Sequence, residues 1–240
     1  MALTGGPAVN SDERDTKVVT GFFSFTEVEA GEHQSYNRWH LFDHQPEQLT
    51  IPGIAWGRRW VLSPDLWPGR SASSPLDRVH YVTLYLLAET LSTTLDRFQA
   101  LARQLHAADR FHQHRVSHLA GPLPVSGMHV APRVAVSAEA VPYVPGTGIH
   151  VRVAPADAEM GRPDALVDLP GVAGAWTFAG STVGAMQGLK VTWCWLDGDL
   201  DAVAAAIDEV APPPPDDAPW RFTGTLATID PNGPRDRFDR

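Results

Sequence analysis

The chain predicts an α+β fold: two tandem ferredoxin-like repeats, each βαββαβ, whose sheets close on one another into one barrel. Three observations carry this expectation. Strand-like and helix-like segments alternate as β-α-β-β-α-β in the first half, and the same order returns more weakly in the second. Short stretches recur at corresponding places, Ile51-Pro52-Gly53-Ile54 against Leu169-Pro170-Gly171-Val172 and Val82-Thr83 against Val191-Thr192. No flexible linker separates the halves cleanly, so two four-stranded sheets, each with a face to bury, are expected to pair with one another.

The elements follow in order. Residues 1–15 are polar and acidic, with no apolar core of a secretory leader, and are expected to be disordered. The first repeat is placed at 16–125, the second at 126–229, and a disordered tail at 230–240. Residues 17–26 (KVVTGFFSFT) are rich in β-branched and aromatic side chains and predict a strand. Residues 29–50 predict a helix, with Trp39, Phe42, Pro46 and Leu49 three to four apart as its apolar stripe. Pro46 lacks an N–H and clashes one turn back, so a kink or restart is expected near 43–45. Pro52-Gly53 ends the helix, and residues 54–62 (IAWGRRWVL) form the second strand.

Residues 63–77, full of Pro, Gly and Ser, read as a loop and 79–87 as the third strand. Residues 90–107 are amphipathic, with Leu91, Leu95, Phe98, Leu101, Ala102 and Leu105 on one face. Residues 112–120 supply the fourth strand. In the second repeat, strands are expected at 148–154, 172–179, 189–196 and 220–227. A short helix is expected at 163–168, a full one at 200–210, and a rigid proline linker at 212–215.

Composition narrows the function. Of 240 residues 43% are hydrophobic and 20% charged, enough for a real core, and no apolar run of membrane-spanning length occurs. The net charge is −9 with only two lysines, Lys17 and Lys190, and no basic patch, which argues against nucleic acid and anionic membranes as partners. The single cysteine, Cys194, excludes an internal disulfide and a cysteine-rich zinc site; it lies in a predicted strand as a buried bystander and fits a reducing cytoplasm. High Ala, Pro and Arg usage points to a GC-rich bacterial genome. No GxSxG, GxxxxGK[ST] or GxGxxG motif occurs, so serine-hydrolase and nucleotide readings lose support. Eight Trp and ten His suggest an aromatic-lined pocket without naming its ligand, and a small hydrophobic molecule is the expected partner.

The candidate chemistry gathers on the first helix. Tyr36, His40, Asp43 and Glu47 make a polar stripe beside the apolar one, and His44 joins it if the Pro46 kink turns the helix. Histidine accepts and returns protons near neutral pH, and Asp43 or Glu47 is placed to orient an imidazole. On strand two, Arg58 and Arg59 point to opposite faces; Arg59 is preferred as an oxyanion partner because Gly57 leaves room beside it. On strand three Tyr81, Thr83 and Tyr85 share a face, and Tyr85 is the candidate hydroxyl donor. Phe23, Trp39 and Trp56, with Tyr36 and Tyr81, are the candidate substrate walls. His112, His114 and His118 form a local cluster that could bind metal with His40 or His44. No tight ligand motif supports a metal, and His118 is kept as a second acid/base group.

Asn37-Arg38-Trp39-His40-Leu41-Phe42-Asp43-His44-Gln45-Pro46-Glu47-Gln48-Leu49-Thr50-Ile51-Pro52-Gly53, followed by Arg58-Arg59, resembles the first helix and second strand of the dimeric α+β barrel superfamily, closest to its EthD-like group. The resemblance covers about thirty residues closely and the remainder by element order. It implies an intramolecular version of that barrel and favours His44 as the functional position. Relatives include cofactor-free monooxygenases, cyclases, isomerases, haem enzymes and proteins without a known reaction. The region 157–168, matching the first helix in the second repeat, is short and has no His, so one working site is expected. The expectation is a cofactor-independent lyase or isomerase acting on a small hydrophobic or aromatic oxygenated substrate. The alternatives are a cofactor-free monooxygenase and a non-catalytic binding protein. Two repeats in one chain remove the need to dimerise without forbidding a homodimer.

Overall fold

A computed structural model of the chain describes residues 18–181, 184–211, 221–230 and 238. Nine strands form: β1 Val18–Val28, β2 Ile54–Val61, β3 Ser71–Ala72, β4 Tyr81–Ala88, β5 Arg115–Val130, β6 Gly148–Pro155, β7 Val172–Ala179, β8 Leu189–Leu196 and β9 Phe222–Thr228. The helices are α1 His33–Trp39, a π-turn His40–His44 leading into α2 Gln45–Leu49, then α3 Leu91–Ala107, α4 Pro163–Leu166 and α5 Leu200–Val210. The sheet runs β2-β4-β1-β5-β7-β8-β6-β9, and β9 returns to β2, which closes an eight-stranded antiparallel barrel; the two-residue β3 extends along β9. Closure gives each of the eight strands a paired neighbour on both sides over part of its length. The two seams differ: β5 and β7 share five register pairs from Val125↔Phe178 to Val130↔Gly174, whereas β2 and β9 meet only at Trp60↔Thr228 and Val61↔Ala227.

Strand alternation decides what fills the barrel. Phe23 and Phe25 of β1, Trp60 of β2, Trp176 and Phe178 of β7, Trp193 and Trp195 of β8 and Phe222 of β9 belong to one buried cluster. Their rings meet edge-on or tilted, as in Phe23–Phe178 at 5.0 Å and Trp60–Trp193 at 5.0 Å, the arrangement that ring quadrupoles favour. Trp60, Trp176, Trp193 and Trp195 are therefore core, and among the described tryptophans Trp39 alone lines the cavity described below.

β5 runs ten residues past its expected end and carries Pro122 and Pro124. Both lie where β5 pairs with β1 and before its pairing with β7 begins at Val125, so their missing N–H groups fall in an edge-like stretch. The apolar stripe expected on the first helix is corrected. Phe42 and Leu49 are 61% and 41% exposed, and the buried face is His33, Tyr36, Asn37, His40 and Gln48. The lead-in 1–15 and the linker 212–215 lie outside the described residues. In the tail, expected to be disordered, the Phe238 ring stacks on His33 at 4.1 Å; residues 231–237, 239 and 240 lie outside the described residues. No helix among the described residues is long and apolar enough to cross a membrane.

Candidate functional site

The site begins with a local conflict in the first helix. Pro46 has no N–H to offer the carbonyl of Phe42, and its ring crowds that carbonyl. The chain resolves this one residue earlier by a π-turn, in which the Gln45 N–H donates to the His40 carbonyl. Tyr36, His40, His44 and Gln48 recur every fourth residue, a spacing that drifts by about 40° per step on an ideal α-helix. The underwound π-turn takes back that drift, and all four side chains line one cavity.

The cavity holds about 200 Å³ between the first helical segment, α3, and the outer face of β1, β4 and β5. Its apolar walls are Phe22, Tyr36, Trp39, Phe98 and Phe111; Ser24, Thr26, Thr83, Ser117, Ala102 and Ala120 are small enough to leave the space. The floor hydroxyls satisfy each other, Ser24 Oγ with Ser117 Oγ at 2.7 Å and with Thr26 Oγ1 at 3.1 Å. The deeper polar atoms do not. His40 Nδ1, His44 Nδ1, Gln48 Oε1 and Nε2, Tyr85 Oη and Arg115 Nε are buried and have no hydrogen-bond partner among the described residues. Such groups cost stability unless something else pairs with them.

Both histidines are held neutral. Burial pushes His40 well below the ordinary imidazole range, assisted by Arg59, His44 and Arg115. Burial, then Arg115, brings His44 down to about 3, with Asp43 opposing. Their rings lie 5.6 Å apart, and His44 stacks on Trp39 at 4.5 Å. Burial, then Tyr36, raises the Tyr85 phenol, so Tyr85 remains a hydroxyl donor. Tyr85 owes its position to Gly57: a Cβ there would lie 2.3 Å from the Tyr85 ring. The room foreseen beside Arg59 is filled by that ring.

Two arginines set the field. Arg59 is 2% exposed, donates from Nη2 to Asn37 Oδ1 at 2.6 Å, and lies over the rings of Tyr36 (4.6 Å) and Tyr81 (4.7 Å). Arg115 lies over Trp39 (5.3 Å) and Phe111 (5.0 Å). The arginine ion pairs among the described residues belong to Arg78, Arg110, Arg133, Arg152 and Arg162, so neither Arg59 nor Arg115 has a carboxylate partner there.

The expected site residues divide accordingly. Tyr36, Trp39, His40, His44 and Tyr85 come together in the cavity wall. Arg59 and Tyr81 sit behind that wall: His33 Nδ1 and Asn37 Nδ2 each meet Tyr81 Oη at 3.1 Å, and Asn37 in turn holds Arg59. Phe23 is corrected to the barrel interior, and its neighbour Phe22 faces the cavity, because the strand alternation runs one residue out of step with the expectation. Trp56 packs on Trp195 and Trp60, also away from the cavity. Asp43 orients neither imidazole. Its carboxylate accepts from Arg110 Nη2 (2.9 Å) and Nε (3.2 Å), and Glu47 takes the same guanidinium at 2.8 Å. With the Trp39 indole N–H on the Arg110 carbonyl at 2.6 Å, these bonds clamp the segment after α3 over the helix.

His118 is likewise corrected: it pairs with Glu27 at 2.7 Å and does not line the cavity. The three clustered histidines disperse onto three glutamates, His112 toward Glu32 (3.9 Å), His114 onto Glu29 (2.9 Å) and His118 onto Glu27. No group of three metal-binding side chains is found among the described residues. Sequence reasoning missed Gln48 and Arg115. The every-fourth spacing from Tyr36 carried a signal for Gln48; nothing local marked Arg115, which reaches the cavity only through β1–β5 pairing. Cys194 is fully buried and its thiol is pushed up to about 12, which removes a nucleophilic role.

No protein-family model matches the chain, and no curated protein matches its sequence. Solved structures do match. A candidate chlorite dismutase superposes with a TM-score of 0.50 at 11% identity, over 89% of this chain and 96% of that one. An anthrone oxidase-like protein gives 0.49 at 10% identity, over 92% and 94%. A candidate monooxygenase of Fusobacterium nucleatum subsp. nucleatum gives 0.45 at 8% identity, over 88% and 92%. What the chain shares with the first of these is the fold, here an eight-stranded antiparallel barrel flanked by helices.

Proposed function

We propose that the chain is a cofactor-independent enzyme that moves a proton on a small, hydrophobic or aromatic, oxygenated substrate, in a lyase or isomerase reaction. One observation carries this reading: two neutral imidazoles with unpartnered Nδ1 atoms face an aromatic cavity that also contains an unpartnered phenol and carboxamide. A neutral imidazole is the form that accepts a proton. His44, at the more accessible position, takes the proton, and His40 supports it. Tyr85 and Gln48 hydrogen-bond the substrate oxygen on which negative charge develops. Arg59 acts through His40 as a positioning residue, since it touches the imidazole field and not the cavity. We also read the barrel as two ferredoxin-like repeats, 16–125 and 126–229. The two halves run β2-β4-β1-β5 and β7-β8-β6-β9, the same relative strand order, and support that reading.

The test is proton exchange. The purified protein is incubated with a panel of aromatic ketones and phenols in deuterated buffer, and carbon-bound deuterium is read by mass spectrometry. Wild-type protein is expected to catalyse exchange or elimination, and His44→Gln, folded as judged by circular dichroism, to lose at least about 100-fold of it. Turnover that stops when dioxygen is removed would make the protein an oxygenase. Binding without any reaction, unchanged in His40→Gln and His44→Gln, would make it a binding protein.

A further inference from the structure

Around the cavity mouth the charge is distributed in a way the proposed reaction alone does not require. Among the described residues none that lines the cavity is acidic, although the chain carries a net charge of −9. Arg115 lines the cavity and also an adjoining outer groove of about 400 Å³, and Phe111 and Ser117 are the other residues shared by the two. Its guanidinium lies over both the Trp39 and the Phe111 ring, whose centroids are 5.8 Å apart, and none of the arginine ion pairs among the described residues involves it. The one acid of the groove, Asp109, already accepts from the Gln113 amide at 3.1 Å. His40, His44, Gln48 and Tyr85 line the cavity but not the groove, so the acid/base end is deep and the cationic end is at the mouth.

Size supplies the second constraint. An engineered apolar cavity of about 150 Å³ takes up benzene. A cavity of about 200 Å³ therefore holds one substituted ring or a fused pair, and a polar substituent must extend into the groove past Arg115.

We infer that the substrate is an aromatic acid of one or two rings, with its ring and reacting oxygen in the cavity and a permanent carboxylate at the mouth on Arg115. This rests on reading the cavity as a small-molecule site and adds the substrate class to it. A half-buried guanidinium that lies over two rings, with a buried Nε and no anion among the described residues, suits a carboxylate, which it can bind through two parallel N–H groups. An anion there also opposes the effect of Arg115 on His44 and so makes the imidazole a stronger base once substrate is bound.

The full-length protein is titrated by calorimetry with 2-naphthoate, with its neutral isostere 2-naphthamide, and with acetate, which has the charge without the ring. The expected order is naphthoate at least about 10-fold tighter than naphthamide, with acetate weakest. Arg115→Gln is expected to bring naphthoate down to naphthamide and leave naphthamide within about 3-fold, and Arg115→Lys to keep most of the preference. Equal binding of acid and amide by wild-type protein would overturn the inference while leaving the small-molecule site standing. A parallel loss of both probes in Arg115→Gln would also overturn it, since Arg115 would then only support the wall. Binding of neither probe by wild-type protein would remove the small-molecule reading itself, and the inference with it.

Discussion

Acidification should unfold this protein while its carboxylates are still charged. His40, His44 and His150 are all held far below the ordinary histidine range by burial, His44 and His150 to about 3. In the unfolded chain they titrate near the ordinary value of about 6.5. As pH falls below that value the unfolded state binds protons that the native state refuses, so stability is complete above about 6.5 and is lost as pH falls toward 3. Each histidine contributes a slope of about 1.4 kcal/mol per pH unit, or about 2 kcal/mol between pH 7 and pH 5. The three together remove about 6 kcal/mol, comparable with the whole stability of a typical domain at about 5–15 kcal/mol. His80, lowered to about 4 but more exposed, adds a smaller share; His114, raised by Glu29, acts the other way. The assay is urea unfolding at pH 7, 6 and 5, followed by fluorescence of the buried tryptophans of the barrel. His150→Gln, outside the cavity, should remove about a third of the pH dependence. A total loss below about 2 kcal/mol, the share of a single histidine, would refute the neutral burial on which the proposed mechanism depends.

Other outcomes follow from single contacts. Gly57→Ala forces a Cβ to within 2.3 Å of the Tyr85 ring and should cost about 1–3 kcal/mol in thermal or urea unfolding. Asp43→Asn should move the pH profile of turnover slightly downward, because Asp43 opposes the lowering of His44 through space while its hydrogen bonds go to Arg110; an upward shift would refute that placement. Cys194 should resist an aromatic disulfide reagent in the native protein and react fully once urea unfolds it.

Strands were legible where both faces are buried. Strands 172–179 and 189–196, and likewise the helix 200–210, were bounded as the structure has them, because apolar runs end there at Gly, Pro or Asp. The first helix was legible in place but not in orientation. Trp39, Phe42, Pro46 and Leu49 look like a core stripe when helical rotation is uniform, and the π-turn makes it non-uniform. That single underwound turn exposes Phe42 and buries His40 and Gln48. The histidine pair was therefore found for a partly correct reason: the Pro46 irregularity does turn His44 inward, but Asp43 is not the group beside it. Arg115 and Phe22 were missed because their importance comes from pairing. The register of β1 with β5, including its shift between Phe25 and Thr26, puts Ser117 and Arg115 next to the β1 residues that face the helices. A sequence read one segment at a time does not contain that register.

The same pairing logic explains why the two halves of one barrel are unequal. Both halves bury an inner face in the shared aromatic cluster, so both contribute to the core that stabilises the barrel. Their outer faces differ in cover. In the first half the helical segments from 33 to 49 and the 17-residue α3 lie over Ser24, Thr26, Thr83, Ser117 and Ala120, side chains too small to reach them. In the second half α4 has four residues, and α5 packs Val203 and Ile207 directly onto Val172, Cys194 and Leu196. Long cover over small residues leaves volume; short cover over larger ones closes it. The open half forgoes packing contacts and leaves several buried polar atoms unpaired, each at a cost of about 1–3 kcal/mol. The barrel's other contacts must offset that cost, and a bound molecule that pairs those atoms would remove it.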